Sequence, residues 1–523
     1  MPLKKFLSLS LGAVSAIAAT ARASGGFPSQ QLQQVLQQSP SSSYESESLG
    51  VLRRFTPDST SSVESILGIA QDHDLDIWQI TNSHIDVYFP PPSPVPHALS
   101  LVNHTTSYIP TQHQTTSSNS RPLQSEWNLN SLSNSTFHST YHPLFEVDSF
   151  LNELVEMRPD MVKLIKLGHS GQGREMMGVT ISTEFGVSSS GDLGRRKGKG
   201  RKGHEKEEDV QPKLGFVITG AQHAREWVAT AAALHLAHAL VVNASEPRSL
   251  SPLLRNFEFH IIPVPNPDGY DYTWENDRYW YKNRQVMGPA RKCIGLDMNR
   301  FGYKWEPTVP ENTPPQLDED LEELREHSEE SLGKKKKKQR TPVDPCSHWY
   351  PGHRPFEAPE VNNLANFVTT LPNLVGFVDL RSYGQMLSTP YSYSCKRIAK
   401  DAEDQIEAAM GAIQALKQTH GTPFMLGSLC SMLYRAPGNI LDWMYARAGI
   451  KYSYAVHLRD TGTYGFSLPA EMIRPVGEET GEMVKYLAKF VAKKLGREFL
   501  SLFFRVISMG GLADASFLLL GEL

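Results

Sequence analysis

The stretch GAQHAREWVA, residues 220–229, places His223 and Glu226 three residues apart, where the apolar run KLGFVIT gives way to the alanine-rich WVATAAALHLAHALVV. An imidazole nitrogen and a carboxylate oxygen on one turn entering a helix can face the same cation, and both are good zinc donors. Two donors do not complete a tetrahedral site, and H-x-x-E also suits an ordinary polar turn. His235 and His238, one helical turn apart just downstream, also look like a metal pair. They lie in an Ala/Leu helix with no carboxylate beside them and read as packing or surface histidines. Spacing alone does not decide.

The 523-residue chain is long enough for two or three domains, and its 40% hydrophobic content supports a sizeable core. A net charge of −4 gives no basic field of the kind that attracts nucleic acid. The start, MPLKKFLSLSLGAVSAIAATARAS, has two lysines, an apolar stretch and Ala21-Arg22-Ala23. That pattern predicts a secretory leader over residues 1–23. The stretch is too short and too rich in Ser, Ala and Gly for a membrane span. In an oxidising compartment Cys293, Cys346, Cys395 and Cys430 would form two disulfides, with three connectivities open. The absence of any C-x-x-C argues against a cysteine metal site. Sequons at Asn103, Asn134 and Asn243 fit an exported glycoprotein.

Residues 24–48 are Gln- and Ser-rich and read as disordered. A small α+β unit follows over 49–110: VLRRFT as a strand, SSVESILGIAQDHDL as a Ser-capped amphipathic helix, and HIDVYFP alternating like a half-buried strand. Residues 111–136 read as a linker. From 137 to 496 helical and apolar strand-like runs alternate, predicting one α/β domain with a largely buried sheet. Low-complexity inserts near 184–212 and 308–344 carry GRRKGKGRKGHEKEE, DEDLEELREHSEE and Lys334 to Lys338. They read as solvated loops, the alternative being a basic loop that touches an anionic polysaccharide or lipid. Residues 497–523 receive no assignment.

Further motifs follow H-x-x-E in order: IPVPNPDGYDYTW (262–274), NDRYWYKNRQ (276–285), CIGLDMNRFGYKW (293–305), YRAPGNILDWMYARAGIKYSY (434–454) and LRDTGTYGFSLP (458–469). Together they closely resemble the secreted zinc carboxypeptidases of the pancreatic A/B type, over about residues 137–496, and the 49–110 unit looks like their activation pro-domain. The resemblance implies a mixed, mostly buried sheet flanked by helices, one Zn2+ per chain, and disulfides Cys293–Cys346 and Cys395–Cys430. It implies His223 and Glu226 as the first two ligands and Arg225 as a residue that helps hold substrate. Asn299 and Arg300 would grip a terminal carboxylate, a task that suits the guanidinium fork. Ser382 and Tyr383 would line the site, Tyr434 would cap it, and Leu441 at the pocket floor would favour hydrophobic C-terminal side chains.

Three positions depart from the family's pattern, and they are the chemical ones. Arg381, in FVDLRSYGQ, stands where the third ligand is a histidine. His457, in YAVHLRDTG, replaces the glutamate general base, and Tyr281 replaces the arginine that stabilises the oxyanion. Arginine stays protonated and accepts no bond, so Arg381 cannot ligate zinc. Losing one oxyanion donor costs on the order of a hundredfold in other hydrolases, and losing the base typically costs about as much. Two outcomes stand for the metal: His457 swings in as a substitute ligand, or no zinc binds and Arg381 pairs with Glu226. Between Arg54 and Arg158 the one basic residue is Arg121, followed by Pro122, which closes the usual tryptic route of activation.

The reading is a secreted, catalytically inactive homologue that holds peptide C-termini. It is similar to the fungal inactive metallocarboxypeptidases, and that resemblance alone implies a role in cell-wall organisation and biogenesis and a vacuolar or extracellular place. One alternative is a slow or altered zinc carboxypeptidase releasing hydrophobic C-terminal residues, with His457 as base or ligand. A second is a non-catalytic scaffold. Expected partners are peptide or protein C-termini and cell-wall components; the oligomeric state is left open.

Overall fold

A computed structural model describes residues 48–73, 75–91, 93–110, 127–183, 213–287, 293–301 and 345–509, and these form two mixed α/β layers. The expected leader, the Gln/Ser-rich segment to residue 47, most of the linker with Arg121, both inserts and the tail beyond 509 lie outside the described residues. Among the described residues no helix is long and apolar enough to cross a membrane.

The N-terminal layer comprises β1 (Ser48–Phe55), α1 (Thr60–Asp72), β2 (Asp76–Ile80), β3 (Ile85–Phe89), α2 (His97–Ser100) and β4 (His104–Pro110). Its sheet order is β2-β3-β1-β4. Ser59 caps α1 by accepting from the Ser62 amide at 3.2 Å. Ile66, Leu67 and Ala70 then face Phe55, Ile77, Ile85, Val87 and Phe89. The alternation in β3 suggested a half-buried strand, yet all five of its residues are buried. Ile85, Val87 and Phe89 face α1, while Asp86 and Tyr88 are covered by the larger layer. Asp86 accepts Arg54 in a fork at 2.7 Å on each oxygen and also the Tyr383 hydroxyl at 2.7 Å, so its burial leaves no polar atom stranded. β2 and β4 went unread, the first hidden behind the helix signal and the second in a Ser/Thr-rich stretch.

The larger layer holds α3 (Leu144–Met157), β5 (Val162–His169), β6 (Glu175–Ile181), β7 (Leu214–Thr219), α4 (Trp227–Val241), β8 (Phe257–Ile262), α5 (Pro267–Glu275), β9 (Val286–Met287) and β10 (Cys293–Ile294). It continues with α6 (Pro359–Thr370), β11 (Leu374–Arg381), β12 (Met386–Thr389), α7 (Ala402–His420), β13 (Met425–Ser428), α8 (Leu429–Met432), α9 (Ile440–Ala446), β14 (Tyr452–His457) and α10 (Ile473–Met509). Eight strands form one mixed sheet in the order β13-β12-β14-β11-β7-β8-β6-β5. The central four, β14, β11, β7 and β8, are mutually parallel, as their near-continuous apolar runs require. α4 is buried almost all round, which its alanines permit by letting backbone approach sheet and neighbouring helices closely. α10 packs against α4 and α7 and runs past the expected end at residue 496 to Met509. The disulfides are Cys293–Cys346 and Cys395–Cys430, as the resemblance implied. The three sequon asparagines are exposed.

His235 and His238 belong to packing. Both are buried, and His138 joins them, its Nε2 lying 2.9 Å from His238 Nδ1 and its ring 4.8 Å from that of His235. His238 Nε2 donates to the Leu129 carbonyl at 2.8 Å, which fixes a neutral tautomer with Nδ1 as acceptor. Burial first, and then repulsion from His238 and Arg474, pushes His235 down to about 3. His238 falls to about 4, again mainly through burial.

The N-terminal layer is tied to the larger one by charge as well as by apolar area. Arg225, 1% exposed, donates from Nη1 to Asp76 Oδ2 at 2.6 Å and lies 4.3 Å from the Phe466 ring centre. Trp78 packs among Tyr88, Tyr279, Tyr383 and Phe466, drawing rings from both layers into one cluster.

Two predictions follow from this packing. A histidine held below its unfolded value of 6.5 contributes stability fully present above that pH and lost as pH falls towards the folded value. Melting temperature should therefore fall between pH 6.5 and 4, with about 3 kcal/mol at stake for His238 in the acid limit. The fall should be shallower in His235→Leu, and an identical slope in that variant would contradict the account. Separately, Asp76→Ala strands a buried guanidinium and should lower unfolding stability by about 3 kcal/mol in urea titrations, with Asp76→Asn recovering part. An unchanged midpoint for Asp76→Ala would remove the ion pair from the interface.

Candidate functional site

The candidate residues gather at the C-terminal ends of the parallel strands, where open α/β sheets present their ligand sites. β7 ends at Thr219, and Gly220 turns the chain into the loop that carries His223, Arg225 and Glu226. A Cβ on Gly220 would lie 2.0 Å from the Pro263 carbonyl oxygen, so glycine is required for this loop to pass the end of β8. β11 ends in Arg381 and β14 in His457, which are register partners across the sheet. Asp297, Asn299 and Arg300 follow β10, and Tyr281 follows α5.

These elements line a cleft that is open to solvent. His223, Glu226, Tyr281, Asn299, Arg300, Arg381, Ser382, Tyr383, Tyr434 and His457 line it, together with Trp78, Gln79 and Ile80 from the N-terminal layer. Arg225 and Leu441 do not. Arg225 is engaged by Asp76, and Leu441 is fully buried beside Met386, Leu429 and Leu433, of which the two leucines reach the cleft wall.

At the centre lies a guanidinium. Arg381 Nε donates to Glu226 Oε2 at 2.9 Å and Nη2 to Oε1 at 3.1 Å, a two-point fork. Nη1 reaches Asp379 Oδ2 at 3.3 Å, and Nη2 also meets His223 Nδ1. Because a guanidinium has no acceptor, His223 Nδ1 accepts and the imidazole proton lies on Nε2. Nε2 donates to Asp297 Oδ1 at 2.8 Å, and Arg300 Nη1 holds Asp297 Oδ2 at 2.9 Å. Asn299 Oδ1 accepts from the Ile440 amide at 2.7 Å, tying the loop that carries Asn299 and Arg300 to α9.

The electrostatics agree. Burial would push the Glu226 carboxyl up, but the charge of Arg381 overrides it and holds the group at about 2. Asp297 is also held low against its burial, chiefly by Arg300 and His223. Burial raises Asp379, and Arg381 offsets part of that rise. His457 is pushed down to about 3 by burial first and by the positive Arg381 second. It stands as a neutral imidazole whose Nδ1 has no hydrogen-bond partner.

This donor set does not fit a zinc ion. Both Glu226 oxygens and His223 Nδ1, the atoms that would ligate, are already directed at Arg381. Among the described residues no three His, Cys, Asp or Glu side chains are grouped to hold a metal, and His457 does not complete such a group. The general-base position is equally altered, since a group with a conjugate acid near 3 is far from the operating range a base needs. At the oxyanion position Tyr281 stacks on His223, ring centres 3.7 Å apart, and places no cation there.

Sequence reasoning passed over three carboxylates that organise the cleft. Asp379 is two residues before Arg381 on one strand, hence on the same face, and that spacing was a usable signal. Asp297 sits three before Arg300 in LDMNRF. Asp76 carried no such cue.

A family profile described as zinc carboxypeptidase matches residues 147–483. The inactive metallocarboxypeptidase ecm14 of Sclerotinia sclerotiorum is 30% identical over 382 residues, covering 69% of this chain and 56% of that protein. This chain thus spans little more than half the length of that relative. The inactive metallocarboxypeptidase ECM14 of Paracoccidioides brasiliensis is 30% identical over 480 residues, covering 84% of this chain and 72% of its own. Among solved structures, thrombin-activatable fibrinolysis inhibitor superposes with a TM-score of 0.64 at 26% identity, over 86% of this chain and 99% of that one. By the matched profile, which spans more than half of the sequence, and by the superposed fold, the chain belongs to the zinc carboxypeptidase family.

Proposed function

We propose that this chain is a catalytically inactive carboxypeptidase homologue whose cleft holds the C-terminus of a peptide or protein without cutting it. The observation that carries the reading is the fork from Arg381 to Glu226 at 2.9 and 3.1 Å, which occupies the donors a zinc ion would need. Peptide hydrolysis in this family's manner requires a Lewis acid, a base and an oxyanion donor. His457 and Tyr281 supply neither of the last two. By contrast Arg300 and Asn299 remain at the cleft, buttressed by Asp297 and α9. Relatives carrying the name inactive metallocarboxypeptidase support the same reading. An exported or vacuolar location, and service in cell-wall organisation, form part of this proposal and rest on resemblance.

The test is binding set against turnover. Peptides with a hydrophobic C-terminal residue should bind the full chain, or the chain cut in its linker, and amidation of their C-terminus or Arg300→Ala should weaken binding at least about tenfold. Hippuryl-type substrates should be released no faster than in buffer. Turnover that His457→Ala abolishes would establish the slow-enzyme alternative instead. Binding indifferent to both amidation and Arg300→Ala would leave a scaffold with an incidental groove.

A further inference from the structure

We infer that Arg381 is a tethered cation standing in the place of a metal ion, and that it holds the cleft in a metal-independent form. Three contacts support this. The guanidinium forks onto Glu226, donates to His223 Nδ1, and reaches Asp379 at 3.3 Å. Its bond to His223 leaves the imidazole proton on Nε2, which donates to Asp297 Oδ1 at 2.8 Å, and Asp297 Oδ2 in turn accepts from Arg300 at 2.9 Å. An unbroken line of donors and acceptors therefore runs from Arg381 to the residue proposed to clasp a terminal carboxylate. Arg381 is a positioning residue in this line.

Strand geometry makes the arrangement specific to this position. Arg381 is the last residue of β11, with Asp379 on the same face two residues earlier, and Thr219 Oγ1 and Gln222 Nε2 hold Asp379 Oδ1 at 2.9 and 2.7 Å. The guanidinium is thus seated between two fixed carboxylates, with His223 beside it. A histidine at the same strand end, as a neutral imidazole, would carry no charge into that seat and would add a nitrogen as the third donor beside His223 and Glu226.

The test needs no peptide and so stands apart from the proposed clasp, on which only the Arg300 step depends. After exposure to excess zinc and desalting, the parent chain should retain no metal by elemental analysis, and its melting temperature should be the same in zinc and in chelator. Arg381→His should retain one zinc per chain and melt several degrees higher with zinc than with chelator. Arg381→Met should lower the melting temperature by several degrees, and Glu226→Gln with Arg381→Met should restore most of the loss, because removing both charges relieves what removing one strands. Stoichiometric, chelator-removable zinc in the parent would overturn the inference. So would a folded Arg381→His that holds none, or an Arg381→Met as stable as the parent. If Arg381→His fails to fold, the single and double methionine variants decide alone.

Discussion

One buried guanidinium sets the electrostatics of the cleft. Arg381 is 6% exposed and lies among Glu226, Asp379 and His223, groups that would each be costly to bury without a partner. Desolvating such charges costs several kcal/mol per ion, and the cost is offset only when geometry and hydrogen bonding are complete. Here they are nearly so. Both Glu226 oxygens are taken, and Asp379 has three donors. His223 is bonded at both nitrogens, so it works as a hinge between the Arg381 cluster and Asp297. One gap among the described residues is His457, whose Nδ1 is unpartnered and whose neutrality follows from burial first and from the cation beside it second.

The same logic extends outward to the N-terminal layer. Arg225 would be a second buried cation without a counter-charge if Asp76 did not reach it from β2. Trp78, two residues on along the same strand, brings its ring to Tyr279 and Phe466 at 4.9 Å each, so one short strand supplies both the charge and the apolar cover. Gln79 donates to the Tyr383 carbonyl at 2.9 Å, next to Ser382 and Arg381. Cleft and N-terminal layer therefore share a core, and the shape of one depends on the presence of the other.

Much of this was legible in the sequence because buried parallel strands and short motifs write themselves locally. KLGFVIT reads as an apolar strand-like run, the alternation over 137–496 as one α/β domain, and H-x-x-E with LDMNRF located the cleft. Arg381, His457 and Tyr281 stood out against the motifs around them. What stayed hidden depends on tertiary approach. IDVYF alternates like a half-exposed strand, and its polar face is dry only because another layer covers it. Asp76 and Arg225 are 149 residues apart, and no local pattern links them. Leu441 was expected on the pocket floor and is in fact packed behind Leu429 and Leu433, a difference of one side-chain layer that spacing cannot resolve.

How the proposed clasp is compatible with the altered chemical positions follows from what each task asks of a cation. To orient His223, and through it Asp297 and Arg300, a group need only occupy the Nδ1 lone pair and balance the charge of Glu226; a guanidinium does both. To cleave a peptide, the cation must also offer an open coordination position that polarises a carbonyl and acidifies water. A guanidinium has donors but no vacant orbital, so it reproduces the metal's structural role and none of its Lewis acidity. The base matters less once this is so, since a water that is not acidified presents a proton far too tightly held for an imidazole whose conjugate acid lies near 3. Under the proposed reading, Arg381 alone would separate holding a C-terminus from cutting it, and the changes at His457 and Tyr281 would act on a step that has no starting point.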